Sequence, residues 1–335
     1  MTVAPQQVCA PGGRRSGWAR WWPGIRLLGG VLVLAVVLRQ LGTGPFLVGI
    51  RSLDVPAVLA AVLIGVVTTV CSAWRWRVVA GRLGLVLGWG PAVAAYYGSQ
   101  FLNATLPGGV LGDVHRALRH GRTVDDVGRG ARAVLGERAA GPVTHVALTV
   151  LVLLALPGPP MTWLLAPLAV VVVVLAGAAG LVLLRRRGAE STRWSRLAGP
   201  AVADLRSGVL ARSAWPQILS ASMVVAIGHA ITFVIAARLV GVPASPLELA
   251  PATMVVLAAM LVPVNVGGWG PRESVAAAVF GAAGWGAAAG VAAATAFGVL
   301  ALIATLPGLV VLVARPLARS QTRPSRAWTR AARDG

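Results

Sequence analysis

The sequence predicts an all-α polytopic membrane protein, with about six full transmembrane helices and two re-entrant hairpins in an inverted-repeat arrangement. Three observations predict it. The 335 residues are 57% hydrophobic and only 12% charged, with a mean hydropathy of +0.77, whereas an ordinary globular chain carries about 25% charged residues. The charge is clumped: 30 Arg and 10 acids, giving a net charge of +20, lie between long neutral stretches. Two of those stretches are also interrupted by Gly and Pro in matching patterns. A soluble basic protein would instead spread its charge over the surface or gather it beside a nucleic-acid site. With Cys9 and Cys71 as the only thiols, neither a disulfide framework nor a zinc cluster is expected.

A bilayer-spanning helix needs about 20 largely apolar residues, because the hydrocarbon core is about 30 Å thick and a helix rises about 1.5 Å per residue. The first candidate, Trp22–Leu38, is short and contains Arg26, which can snorkel while Trp18, Trp21 and Trp22 sit at the interface. No small-x-small cleavage site follows it, so it reads as an uncleaved anchor behind an Arg-rich tail over residues 1–24. Val55–Trp74 contains no charge. Ala139–Leu184 is too long for one span and breaks at the LPGPP of Leu156–Pro160, giving helices over roughly 133–155 and 161–184. Ser213–Ala237 is a further clean span. Ser274–Ala314 is softened by the glycines of Gly281–Gly290, which leaves roughly 287–314 to cross.

Two apolar stretches behave differently. Leu83–Gly112 is glycine-rich and carries Pro91, Pro107, Gln100 and Asn103; Leu249–Pro271 ends in a similar run from Val262. Backbone that cannot stay helical is tolerated at membrane depth only where protein or a water-filled cavity covers it. Both are therefore expected as re-entrant hairpins, over about 89–112 and 249–284, within a membrane domain of 25–315.

Charge placement agrees with that count. Arg-rich loops stay cytoplasmic, and the topology puts 26 of the 30 Arg on that side, together with both termini. Arg39, Arg51 and Arg238 fall outside, and Arg272 lies in the second hairpin. The tail over 316–335 follows an Arg stripe at helical spacing and can gain about 1 kcal/mol per Arg beside anionic lipid. Because topology already accounts for this charge, nucleic acid is not expected as a partner.

The hairpins rhyme. Leu106-Pro-Gly-Gly-Val-Leu-Gly-Asp-Val-His-Arg116 runs from a Pro through glycines to an acid and a base; Val262-Pro-Val-Asn-Val-Gly-Gly-Trp-Gly-Pro-Arg-Glu273 ends on a base and an acid. Paired Gly/Pro-interrupted segments in two halves of a chain point to a transporter's binding site. Pro107, Gly108, Gly109 and Gly112 are expected to shape the first hairpin, and Pro263, Gly267, Gly268 and Gly270 the second.

The stretch from Phe101 to Arg116, the Trp-Arg-Trp at Trp74–Trp76 and the Pro-x-x-x-Gly-Gly-x-Gly-x-Arg-Glu at Pro263–Glu273 resemble the signatures of a flippase-like family. That family is typified by the transmembrane region of lysylphosphatidylglycerol synthase. The resemblance covers roughly 25–315, and the soluble synthase domain is expected to be missing. Leu111 stands where the family usually has the first Gly of Gly-Gly-Asp, and Pro271 replaces a usually aliphatic residue.

The resemblance and the hairpins together imply a plasma-membrane lipid translocase rather than an enzyme. It would move the headgroup of a phospholipid or polyprenyl-phosphate-linked amphiphile through a cavity between the hairpins. Asn103, Asp113, Arg116, Asn265, Arg272 and Glu273 are expected to contact the headgroup, with Arg116 and Arg272 taking phosphate in a bidentate fork. Asp113 and Arg116, three apart, share a helix face. Glu137 and Arg138 open the third span and either reach the same cavity or only mark its cytoplasmic edge, the edge being the expected reading. Asp113, His115 and His120 have poor metal-ligand spacing, so no metal or other cofactor is expected. No Walker loop, nucleophile elbow or HExxH helix is present. Anionic membrane lipids are the expected partners, with self-association or a separate transferase beside them. An accessory subunit for a glycosyl- or aminoacyl-transferase, or an intramembrane lipid-modifying enzyme, is the alternative.

Overall fold

The computed structural model describes residue 39 and residues 43–106, 109–123, 126–156, 211, 213–261 and 270–321. Every regular element among them is helical. A short helix, α1 (Gly44–Arg51), leads to α2 (Val55–Arg82). The Asp54 side chain accepts from the Ala57 N–H and Pro56 occupies the first turn of α2, both favourable at a helix start. After it come α3 (Trp89–Thr105), α4 (Leu111–Thr123) and α5 (Val127–Ala155). The second half contains α6 (Trp215–Leu239), α7 (Pro246–Ala258) with a 3₁₀ turn over Ala259–Leu261, and α8 (Pro271–Ala282). It closes with α9 (Ala287–Thr305) and α10 (Pro307–Gln321).

Among the described residues four helical runs are long and apolar enough to cross a bilayer: Val55–Arg82, Val127–Ala155, Trp215–Leu239 and Ala287–Ala314. They match four of the six expected spans; the other two, over 22–38 and 161–184, lie outside the described residues. The chain is a multi-pass membrane protein. One face of α2 leaves Val55, Leu59, Leu63, Val66 and Val70 exposed, an apolar stripe suited to lipid.

The two Gly/Pro-rich stretches fold as helical hairpins. α3 and α4 lie back to back, and the second arm runs on to Thr123, beyond the expected limit at residue 112. Gly109 has φ +60°, a left-handed conformation that favours glycine at the turn. Gly112 serves closeness instead: a Cβ there would lie 2.0 Å from the Ser99 carbonyl oxygen. Leu111, in the position where a first Gly was looked for, is 47% exposed, so its side chain points clear of this contact. The second hairpin pairs α7 with α8. Its turn, with Pro263, Asn265, Gly267 and Gly268, lies outside the described residues, as do Pro107 and Gly108 of the first.

Among the described residues the largest apolar cluster joins both halves. Phe233 of α6, Leu249 and Val256 of α7, Phe280 of α8, and Phe297 and Leu300 of α9 are buried together with Ala61 of α2. The Phe233 ring meets Phe280 and Phe297 at centroid distances of 6.2 and 5.6 Å. A second cluster, built on Trp76, Tyr96, Ala117 and Val134, seats the first hairpin against α2 and α5.

Candidate functional site

The first hairpin closes over a buried ionic network. Ser72, Arg75, Trp76 and Val79 recur on one face of α2 and are all buried. That register sends Arg75 toward Glu137 of α5, donating from Nε at 2.9 Å and from Nη2 at 2.5 Å to Oε1. Its Nη1 donates to Ser222 Oγ of α6 at 2.8 Å. Tyr96 of α3 donates its hydroxyl to the same Oε1 at 3.0 Å, and Arg116 of α4 donates from Nη2 to Oε2 at 2.9 Å. Glu137 is 0% exposed. A carboxylate so far from water is tolerable only because it is surrounded by donors.

Asp113 forms the other half of the network. Arg116 donates to Oδ1 at 3.0 Å, Arg138 Nη2 lies 2.8 Å away, and Ser99 Oγ and Asn103 Nδ2 donate at 2.9 and 3.0 Å. Asn103 also accepts from the Gly112 N–H at 2.8 Å, which pins the two arms of the hairpin together. The Arg116 guanidinium is sandwiched between Trp76 and Tyr96, 4.5 and 4.4 Å from their ring centroids. These ring faces meet a guanidinium whose Nε and Nη1 have no hydrogen-bond acceptor among the described residues.

The second hairpin carries a smaller buried pair. Arg272 Nε donates to Glu273 Oε1 at 3.0 Å, and Nη2 donates to the same oxygen. Glu273 Oε2 accepts from the Gly270 N–H at 2.7 Å, closing the first turn of α8. Gly270 has φ +117°, a backbone setting that side chains resist. The Arg272 guanidinium lies 5.3 Å from the Phe297 ring centroid.

Between these features lies a cavity of about 330 Å³. Gly109 from the first hairpin's turn and Met260 and Arg272 from beside the second's both line it, with Asn103, Arg138 and His229. Thr68, Thr69, Gln100, Thr232 and Thr305 add neutral polar groups, and alanines, Ile64 and leucines make the rest apolar.

The family described as the lysylphosphatidylglycerol synthase TM region matches residues 24–308. The chain belongs to that family. No curated protein and no solved structure matches it. Within this chain the signature residues gather as their local spacing implies: Asp113 pairs with Arg116, and Arg272 with Glu273. Asn103 and Arg272 reach the cavity. Arg116 does not; it is 2% exposed inside the network, and Arg138 lines the wall in its stead. Of the pair that opens the third expected span, Arg138 reaches the cavity, and Glu137 is the hub that joins α2, α3, α4 and α5. Sequence reasoning missed Arg75, Tyr96 and Glu137 as a set. The available signal was charge of both signs within two spanning helices, Arg75 in α2 and Glu137 in α5, which is costly in a membrane unless paired.

Proposed function

We propose that the protein is a lipid translocator of the plasma membrane, moving amphiphile headgroups through the cavity between its two hairpins. The observation that carries the reading is that residues from the turn regions of two hairpins, in opposite halves of the chain, wall one cavity with guanidinium groups on its surface. On this reading the hairpins are re-entrant, six helices cross the membrane, and both termini are cytoplasmic.

The packing supports an inverted repeat in which α2, α3, α4 and α5 correspond to α6, α7, α8 and α9. Each contact in one half has its counterpart in the other. α2 meets α3 as α6 meets α7; α4 meets α5 as α8 meets α9; and α2 meets α9 as α6 meets α5. The crossed contacts, α3 with α9 and α7 with α5, also exchange, while α2 and α6 pack on each other. Such repeats favour alternating access to a site near the midplane. A carrier rather than an enzyme is supported by the carboxylates nearest the cavity among the described residues: Glu137, Asp113 and Glu273 are each held by several donors rather than left free as base or nucleophile.

The test is fluorescent-lipid translocation in proteoliposomes by Arg272→Gln with Glu273→Gln, with protein level and thermal stability measured alongside. The double variant removes both charges together, so it should fold without transporting. Transport at the parent rate would make the pair structural and defeat the proposal.

A further inference from the structure

We infer that Arg116 holds a single small inorganic anion, of chloride size, in a cleft between α3, α4 and α10, where it completes the charge of the buried network. Among the described residues, none that lines this cleft lines the cavity between the hairpins. The network's ion pairs set three guanidinium groups, of Arg75, Arg116 and Arg138, against two carboxylates, of Glu137 and Asp113. Arg75 engages all its donors, Nε and Nη2 with Glu137 and Nη1 with Ser222, and Arg138 is paired to Asp113. Arg116 gives only Nη2 to the two carboxylates. Its Nε and Nη1 have no acceptor among the described residues, although its side chain is 1% exposed. The unmatched charge and the unmet donors therefore fall on one buried group.

Its neighbours do not supply what is missing. Trp76 Nε1 and His120 Nε2 are buried without partners too, and indole and guanidinium nitrogens only donate, so they cannot satisfy one another. The Trp76 and Tyr96 rings favour the cation without neutralising it. Arg116 does, however, form part of the wall of a cleft of about 10 Å³, where His115 and Arg119 of α4 meet Gly98 of α3 and Val311 and Leu312 of α10. Every ionisable side chain on that wall, among the described residues, is basic. The volume matches one water-sized particle, which admits a monatomic anion and excludes the four oxygens of a phosphate. The walls resist widening: a Cβ on Gly98 would already lie 3.3 Å from Leu312, and one on Gly308 would overlap the Tyr97 carbonyl oxygen. Water in this place would accept the N–H bonds and leave the charge unmatched. An anion answers both, and it is attracted far more strongly inside protein than in bulk solvent.

The experiment uses the purified full chain in an uncharged detergent, with sodium chloride exchanged for sodium gluconate at constant ionic strength so that screening does not change. Radioactive chloride should bind saturably, one ion per chain, and the melting temperature should rise with chloride, as for any ligand of the folded state. Bromide should compete with it, and inorganic phosphate and sulfate should not. Arg116→Gln leaves two guanidinium groups facing two carboxylates, and should weaken chloride binding about tenfold or more. Should that protein fail to fold, Val311→Asp carries the test. It puts a carboxylate of nearly valine's size on the wall, and should melt above the chloride-free parent with no further response to chloride. No saturable chloride binding by the parent, parent-like binding by Arg116→Gln, or an unchanged chloride response in Val311→Asp would overturn the inference. Displacement of chloride by phosphate would also overturn it, because the occupant would then be a phosphoryl group.

Discussion

Glu137 receives hydrogen bonds from Arg75, Tyr96 and Arg116 and touches no solvent. Removing its charge leaves the buried Arg75 guanidinium without its carboxylate partner. Breaking one side of a buried ion pair costs about 3–5 kcal/mol. Glu137→Gln is therefore expected to lower thermal stability by that order, and Arg75→Gln combined with Glu137→Gln should recover part of it. Melting curves of the three variants check this; a Glu137→Gln protein that melts like the parent would remove the hub from the account. Arg272 has a separate expectation. Lys in its place keeps the charge but loses the planar fork that reaches Glu273 through both Nε and Nη2. Arg272→Lys should therefore reduce translocation while protein levels hold, and an unchanged rate would rule out a role for the fork.

At the scale of elements, the first hairpin depends on how closely its arms approach. Gly112 sits against the backbone of Ser99, so even a methyl group there forces α3 and α4 apart. Overpacking of this kind typically costs about 1–3 kcal/mol, and the displacement also pulls Asn103 from the Gly112 N–H. Gly112→Ala should lower the melting temperature, and Gly112→Val should lower it further. Leu111→Gly at the neighbouring exposed position is expected to change stability little, since the Leu111 side chain meets no such contact. If Gly112→Val melts like the parent, the close approach contributes nothing to the fold. The spans, by comparison, were legible from composition: the breaks at Gly84 and Leu156 and the start at Asp54 fall within or beside the uncharged runs.

At the scale of the molecule, the clumped arginines orient the proposed topology. The positive-inside bias places 26 of the 30 on one side. Reporter fusions at Gly335 and within 157–160 should show the first cytoplasmic and the second external. An externally active reporter at Gly335 would refute the six-span arrangement. In the proposed topology the first hairpin enters from the cytoplasm and the second from outside, as an inverted repeat requires.

The sequence by itself determined the all-helical membrane class, four spans to within a few residues at most of their ends, and the two pairs of shorter helices between them. It also determined the Asp113–Arg116 and Arg272–Glu273 pairs, because partners one or three residues apart meet through local backbone geometry alone. The tertiary structure decided which charges are buried together and which face the cavity. Arg75 and Glu137 are 62 residues apart, and no local spacing brings them together. Arg116 and Arg138 look alike as intramembrane arginines, yet one is enclosed by Trp76, Tyr96 and Glu137 while the other opens onto the cavity. That difference comes from how α2, α3, α4 and α5 pack. Desolvation then decides the rest: the enclosed guanidinium must be paired within the protein, and the one on the wall can meet a ligand.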